Sequence, residues 1–262
     1  MDARETRQQP EPAWRIRTAG GGRMNYLAQA IAWIFDPSNY GAYDGIGVRT
    51  LQHLGISVGV VVVAAVIAIP LGYLVGHTGR GRSLAVAVSG GIRALPTLGL
   101  LIIIALGVGI GLDAPFIALV VLAIPSILAG AYSGFEAIDR STVDAARAVG
   151  MTEWQLVGRV EIPLGLPLLI GGLRLAMLQV IATATLADYV GGGGLGLYLF
   201  RGLKTNDYPQ MLAGSILVIL MAIASEIVFS VLQRVVVPAG VVAGQAQDQR
   251  VKSTGLRAVP GS

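Results

Sequence analysis

The sequence predicts an all-α membrane protein of about five transmembrane helices, and three observations predict it. Of 262 residues, 54% are hydrophobic and 13% charged, with a mean hydropathy of +0.69. A soluble domain carries about 25% charged residues, so half that share leaves too few groups to wet a surface. The charge is also uneven: Leu54 to Gly76 contains none, and about 18 apolar residues suffice to cross a bilayer core as helix. Third, the basic residues flank such windows, as they do around membrane spans. A pI near 9.6 with net charge +4 therefore reads as membrane orientation, and no nucleic-acid partner is expected.

Residues 1–23 form a basic tail, expected to be disordered, with Arg4, Arg7, Arg15, Arg17 and Arg23 against Asp2, Glu5 and Glu11. Met24 to Phe35 is too short to span. Leu27, Ala30, Ile31 and Ile34 fall at helical spacing, so 24–50 reads as an interfacial helix and an outside loop. The spans come at 54–76, 95–112, 115–132, 163–187 and 209–232, with the second bent near Pro96 and a turn at Asp113 and Pro115. Arg80, Arg82, Arg140, Arg147, Arg159, Arg234, Arg250, Lys252 and Arg257 fall on one side, and Arg49, Arg201 and Lys204 on the other. Basic loops stay in the cytoplasm, which places segment 133–162 and the polar tail 236–262 inside. The N-terminal tail then lies outside against its charge, a conflict that a start at Met24 would remove.

Segment 133–162 is polar between two spans. Ser141 to Asp144 has capping-box spacing, Asp144 to Val149 favours helix, and Gly150 can take the left-handed conformation that ends it. Thr152 and Gln155 repeat the capping spacing before Pro163. Two short helices around a glycine turn, with alanines on one face, suit docking to another protein.

Asp144-Ala145-Ala146, then Gly150, then Val160-Glu161-Ile162-Pro163 resembles the EAA loop of binding-protein-dependent ABC transporter permeases, E-A-A-x3-G-x9-I-x-L-P, with Asp for Glu, Val for Ile and Ile for Leu. The resemblance extends over about 50–235, including Ile69-Pro70-Leu71-Gly72, Ala94-Leu95-Pro96-Thr97, Gly171-Gly172-Leu173-Arg174 and Val190 to Gly196. Together these look like permeases of importers for osmoprotectants such as glycine betaine, choline, carnitine or proline betaine. The resemblance implies a permease domain over 51–235 in the bacterial cytoplasmic (inner) membrane, with the coupling role on Asp144, Ala145, Ala146, Gly150, Val160, Ile162 and Pro163. It implies three partners: an ABC ATPase subunit, a second permease chain, and an extracytoplasmic solute-binding protein as a separate chain. ATP and Mg would sit on the ATPase, leaving this chain without a cofactor or catalytic residue. Leu203 stands before Lys204-Thr205 where a Walker A motif needs glycine.

Inside the spans, Arg174 and Glu226 are the ionisable pair, read as a structural ion pair ahead of a functional one. Gln179, Thr183 and Thr185 are candidates for lining the path. Gly191 to Gly196 contains G-x-G-x-x-G without a βαβ context, so it reads as a flexible outside loop that can approach a helix closely. Gly55 with Gly59, and Gly72 with Gly76, have helix-crossing spacing. With no cysteine, and with His53 and His77 placed apart from other ligands, no metal site is expected. An intramembrane enzyme lacks its nucleophile and base. The alternatives are an ABC permease for another small solute such as an amino acid, or a secondary transporter.

Overall fold

The computed structural model describes residues 25–41 and 43–236, so the tail 1–23, Met24 and residues 237–262 lie outside the described residues. Among the described residues ten α-helices run in order: α1 (Asn25–Phe35), α2 (Ile46–Thr78), α3 (Arg82–Arg93), α4 (Thr97–Val108), α5 (Asp113–Glu136), α6 (Arg140–Ala148), α7 (Glu153–Leu156), α8 (Ile162–Thr183), α9 (Gly196–Thr205) and α10 (Tyr208–Val236). Four helical stretches among these residues are long and apolar enough to span a membrane, and the bent pair α3 and α4, taken as one span, makes a fifth.

Helix α5 is the centre of the bundle, with α2 against one side and α8 against the other. Small residues set both crossings, because a backbone that lacks side chains lets its neighbour approach until dispersion contacts close. On the α2 side, Gly72 faces Ala131, and a Cβ on Gly76 would stand 2.8 Å from that of Phe135. On the α8 side glycine meets glycine: a Cβ on Gly130 would lie 2.8 Å from Gly172 Cα, and one on Gly134 would lie 2.7 Å from Gly165 O. Gly55 meets nothing, so only the second spacing singled out in α2 is a crossing. Helix α10 packs on α8, α9 and α1 and leaves Ile219, Ile223, Ile227 and Val231 exposed, as a lipid-facing or subunit-facing surface requires.

Several boundaries differ from the sequence reading. Helix α2 begins at Ile46, two turns before the uncharged window, because Arg49, Gln52 and His53 find partners inside the fold. The chain reverses before α3 through Gly79 and Gly81, at φ +66° and +77°. Helices α3 and α4 meet at 87° just where Pro96 holds an extended conformation. The turn into α5 is made by Gly109 and Gly111 at φ +96° and +144°, and Asp113 is the first helical residue, at the positive end of the helix dipole. Helix α5 then runs on to Glu136, four residues past the expected end. Of the stripe read on α1, Ala30 and Ile34 pack with Ala213 of α10, while Leu27 and Ile31 stay exposed.

Candidate functional site

The segment between α5 and α8 protrudes from one end of the bundle. Its first helix starts earlier than the Ser141 spacing suggests. Asp139, not Ser141, is the cap, its carboxylate accepting from Ser141 N at 2.9 Å, and Arg140 is the first helical residue. The helix ends as the glycine predicts: Gly150 sits at φ +86°, Gly150 N donates to Arg147 O at 2.9 Å and Met151 N to Ala146 O at 3.2 Å. That pair of bonds is a Schellman motif, which satisfies carbonyls left open at the helix end. The second capping box forms as read, with Thr152 Oγ1 accepting from Gln155 N and Gln155 Oε1 accepting from Thr152 N.

The second helix of the segment is not a separate short element before a span. Helix α7 passes through a π-turn at Val157–Glu161 straight into α8, forming one rod with the bundle. Pro163 is the cause: it has no N–H to return to Arg159 O, and the wider turn absorbs the defect, with Ile162 N donating to Val157 O. Val160, Ile162 and Pro163 are therefore the joint between knob and span. The alanines divide, Ala146 being buried and Ala145 exposed beside Asp144. Val149 is 77% and Trp154 88% exposed, a large apolar surface for a loop of this size.

A cavity of about 510 Å³ lies behind the knob, lined by His77, Arg82, Glu136, Arg140, Arg147 and Glu161 among others. Arg82 pairs with Glu136 at 3.0 Å, and Arg147 pairs with Glu153. His77, which the spacing left isolated, is within 2.7 Å of Glu161 and 3.3 Å of Glu153.

At the opposite end Arg49 and Arg201 share Asp44, and both guanidiniums hold its carboxyl below the usual carboxylate range. The glycine-rich segment lies against α2 and is largely buried. Gly191, Gly193 and Gly194 take positive φ, which lets the backbone reach Gln52 and His53. Gln52 Nε2 donates to Gly192 O at 3.3 Å, and its Oε1 accepts from Gly194 N at 3.1 Å. His53 is fully buried, its Nε2 2.9 Å from Ile181 O and its Nδ1 accepting from Leu195 N at 3.2 Å. Sequence reasoning missed both residues, although His53, Ser57, Val60 and Ala64 share one buried helical face. It also missed α9, where Gly196, Tyr198 and Gly202 supply the inward side.

Within the spans Arg174 and Glu226 form a two-point ion pair between α8 and α10, with Nε 2.6 Å from Oε2. It lies beside a groove of about 530 Å³ that Arg93, Ser126 and Leu178 also line. Glu226→Gln alone should destabilise the purified protein by about 2 kcal/mol or more, because it strands a guanidinium at membrane depth. Exchanging the two residues should recover most of the loss in a thermal unfolding assay; a double variant no better than the singles would show that the pair is not the source. Gln179 is spent on packing, its Nε2 donating to Leu122 O at 3.1 Å and its Oε1 accepting from Ser126 Oγ at 3.2 Å. Thr183 and Thr185 donate to carbonyls of their own segment, which leaves each oxygen able to accept.

Residues 68–239 match the family described as binding-protein-dependent transport system inner membrane component. The chain is 35% identical over 179 residues to the carnitine transport permease protein OpuCB of Listeria monocytogenes, covering 68% of this chain and 82% of that protein. It is 32% identical over 192 residues to the glycine betaine/carnitine/choline transport system permease protein OpuCB of Bacillus subtilis (strain 168), covering 73% and 88%. The fold is similar to that in an inward-facing structure of the MetNI methionine ABC transporter, at TM-score 0.63 and 24% identity over 72% of this chain and 94% of that one. A protruding loop with the EAA spacing, set on a bundle of this shape, thus agrees with the family match, and the chain belongs to the binding-protein-dependent transport system inner membrane component family.

Proposed function

We propose that this chain is the permease subunit of an ABC importer and forms the path for a small osmoprotectant such as glycine betaine, choline or carnitine. The observation that carries the solute class is identity of 31–35% to permeases named for carnitine, choline and glycine betaine transport. The same reading assigns energy coupling to the knob. Val149 and Trp154, exposed around the Gly150 turn, are the surface offered to a separate ATPase subunit that holds ATP and Mg, and Asp144 and Ala145 are exposed as well. A second permease chain would complete the path, and an extracytoplasmic solute-binding protein would load it. The knob end and the C-terminus then face the cytoplasm, in keeping with Arg82, Arg140 and Arg147 gathered around one cavity while Arg49 and Arg201 share Asp44 at the other end. Thr183 and Thr185 are the path residues we retain, and Gln179 serves the α5–α8 contact.

Deleting the gene should abolish accumulation of labelled glycine betaine, choline or carnitine at high osmolarity, with methionine uptake unchanged. Loss of amino-acid uptake with intact betaine, choline and carnitine uptake would refute the solute class and favour the amino-acid alternative.

A further inference from the structure

The end of α2 carries a side chain that ties it to the coupling element. His77 Nδ1 lies 2.7 Å from Glu161 Oε2, in the π-turn, and its Nε2 lies 3.3 Å from Glu153 Oε2, on α7. Glu153 in turn accepts from Arg147 of α6 at both oxygens, Nε at 3.0 Å and Nη2 at 3.1 Å. Glu161 is only 5% exposed, so its carboxylate needs a partner within the protein. The chain connects α6 to α5 and α8 through its own backbone, but α2 has no such link to the knob.

We propose that His77 is a positioning residue for energy coupling, clamping Glu161 and Glu153 so that movement of α6 is passed to α2 as well as to α8. This rests on the reading of the knob as the coupling element. Each ring nitrogen faces a carboxylate oxygen. An imidazolium donates to both, whereas a neutral imidazole has one N–H and turns a lone pair toward the second carboxylate. The other charged groups around the ring do not replace it. Arg82 of α3 and Glu136 of α5 pair with each other, Arg147 of α6 is held by Glu153 with Asp144 at 3.9 Å, and Arg140 lines the same cavity without an ion-pair contact to Glu153 or Glu161.

The test uses the full transporter, permease with ATPase and binding protein, in liposomes that report solute moved per ATP hydrolysed. His77→Gln should lower that ratio about fivefold with the ATPase still bound, the size of a modest coupling energy. Glu153→Gln, at an exposed position, should do the same and decides the matter if the first variant fails to assemble. His77→Lys keeps a cation with several donors and should restore the ratio. An unchanged ratio in either glutamine variant, or no recovery of the ratio in His77→Lys, overturns the clamp. Wild-type protein that shows no ATP-driven uptake overturns the coupling reading and this inference with it.

Discussion

Gly172→Val is expected to leave no folded permease to purify. A Cβ at Gly172 would stand 2.8 Å from Ser126 O and 2.9 Å from Gly130 Cα, so the clash is with the backbone of α5, which cannot rotate away. Overpacking against movable side chains costs about 1–3 kcal/mol, and against a helix backbone the two spans must separate, at a cost above that range. Separation would also break the Gln179 bonds to Ser126 and Leu122, leaving amide groups unpaired in an apolar interior. Gly171→Val is the control, because the space around Gly171 is open. Size-exclusion chromatography in detergent should show a monodisperse peak for Gly171→Val and aggregate for Gly172→Val. Equal profiles would mean that the glycine crossing does not hold the bundle.

Gly150→Val is expected to abolish uptake while the permease stays folded in the membrane. Nothing lies within 4 Å of a Cβ there, so the effect is conformational and not steric crowding. Asp is a poor test, since Asn and Asp tolerate the left-handed region better than other residues, whereas a β-branched side chain at φ +86° does not. The cost of about 1–2 kcal/mol is small against the fold but falls entirely on the turn that aims α6 at α7. Co-purification should show the ATPase lost, or bound and hydrolysing ATP without transport. Uptake at the wild-type rate would overturn the assignment of this segment to coupling.

Much of the helix inventory was legible because membrane helices are written in long uncharged windows: α2, α5 and α10 contain the windows read for them, while α8 ends at Thr183, four residues short of its window, where the chain tightens into a 3-10 turn over Ala184–Val190. The Gly150 turn and the Thr152 cap were legible because each is decided within a few residues. The first cap was misplaced by two residues, since Asp139 and Ser141 are both good caps and local chemistry does not rank them. Helix α9 was missed because much of its inward side is glycine, Gly196 and Gly202 lying against neighbouring backbone, and no apolar stripe along the chain marks that face.

Composition and motif by themselves determined that this chain is a helical membrane protein with an EAA-type loop, because hydropathy and local turn chemistry act over short stretches of chain. Only the tertiary structure decided which glycines are crossings. Gly130 and Gly134 carry the same spacing as Gly55 and Gly59, and what separates them is the α8 backbone opposite, far along the chain. It likewise decided that Arg174 meets Glu226, that Gln179 is a packing clamp, and that His77 sits between two carboxylates. Each of these is a contact between residues dozens of positions apart, fixed by how helices cross, and no periodicity along one helix encodes the face of another.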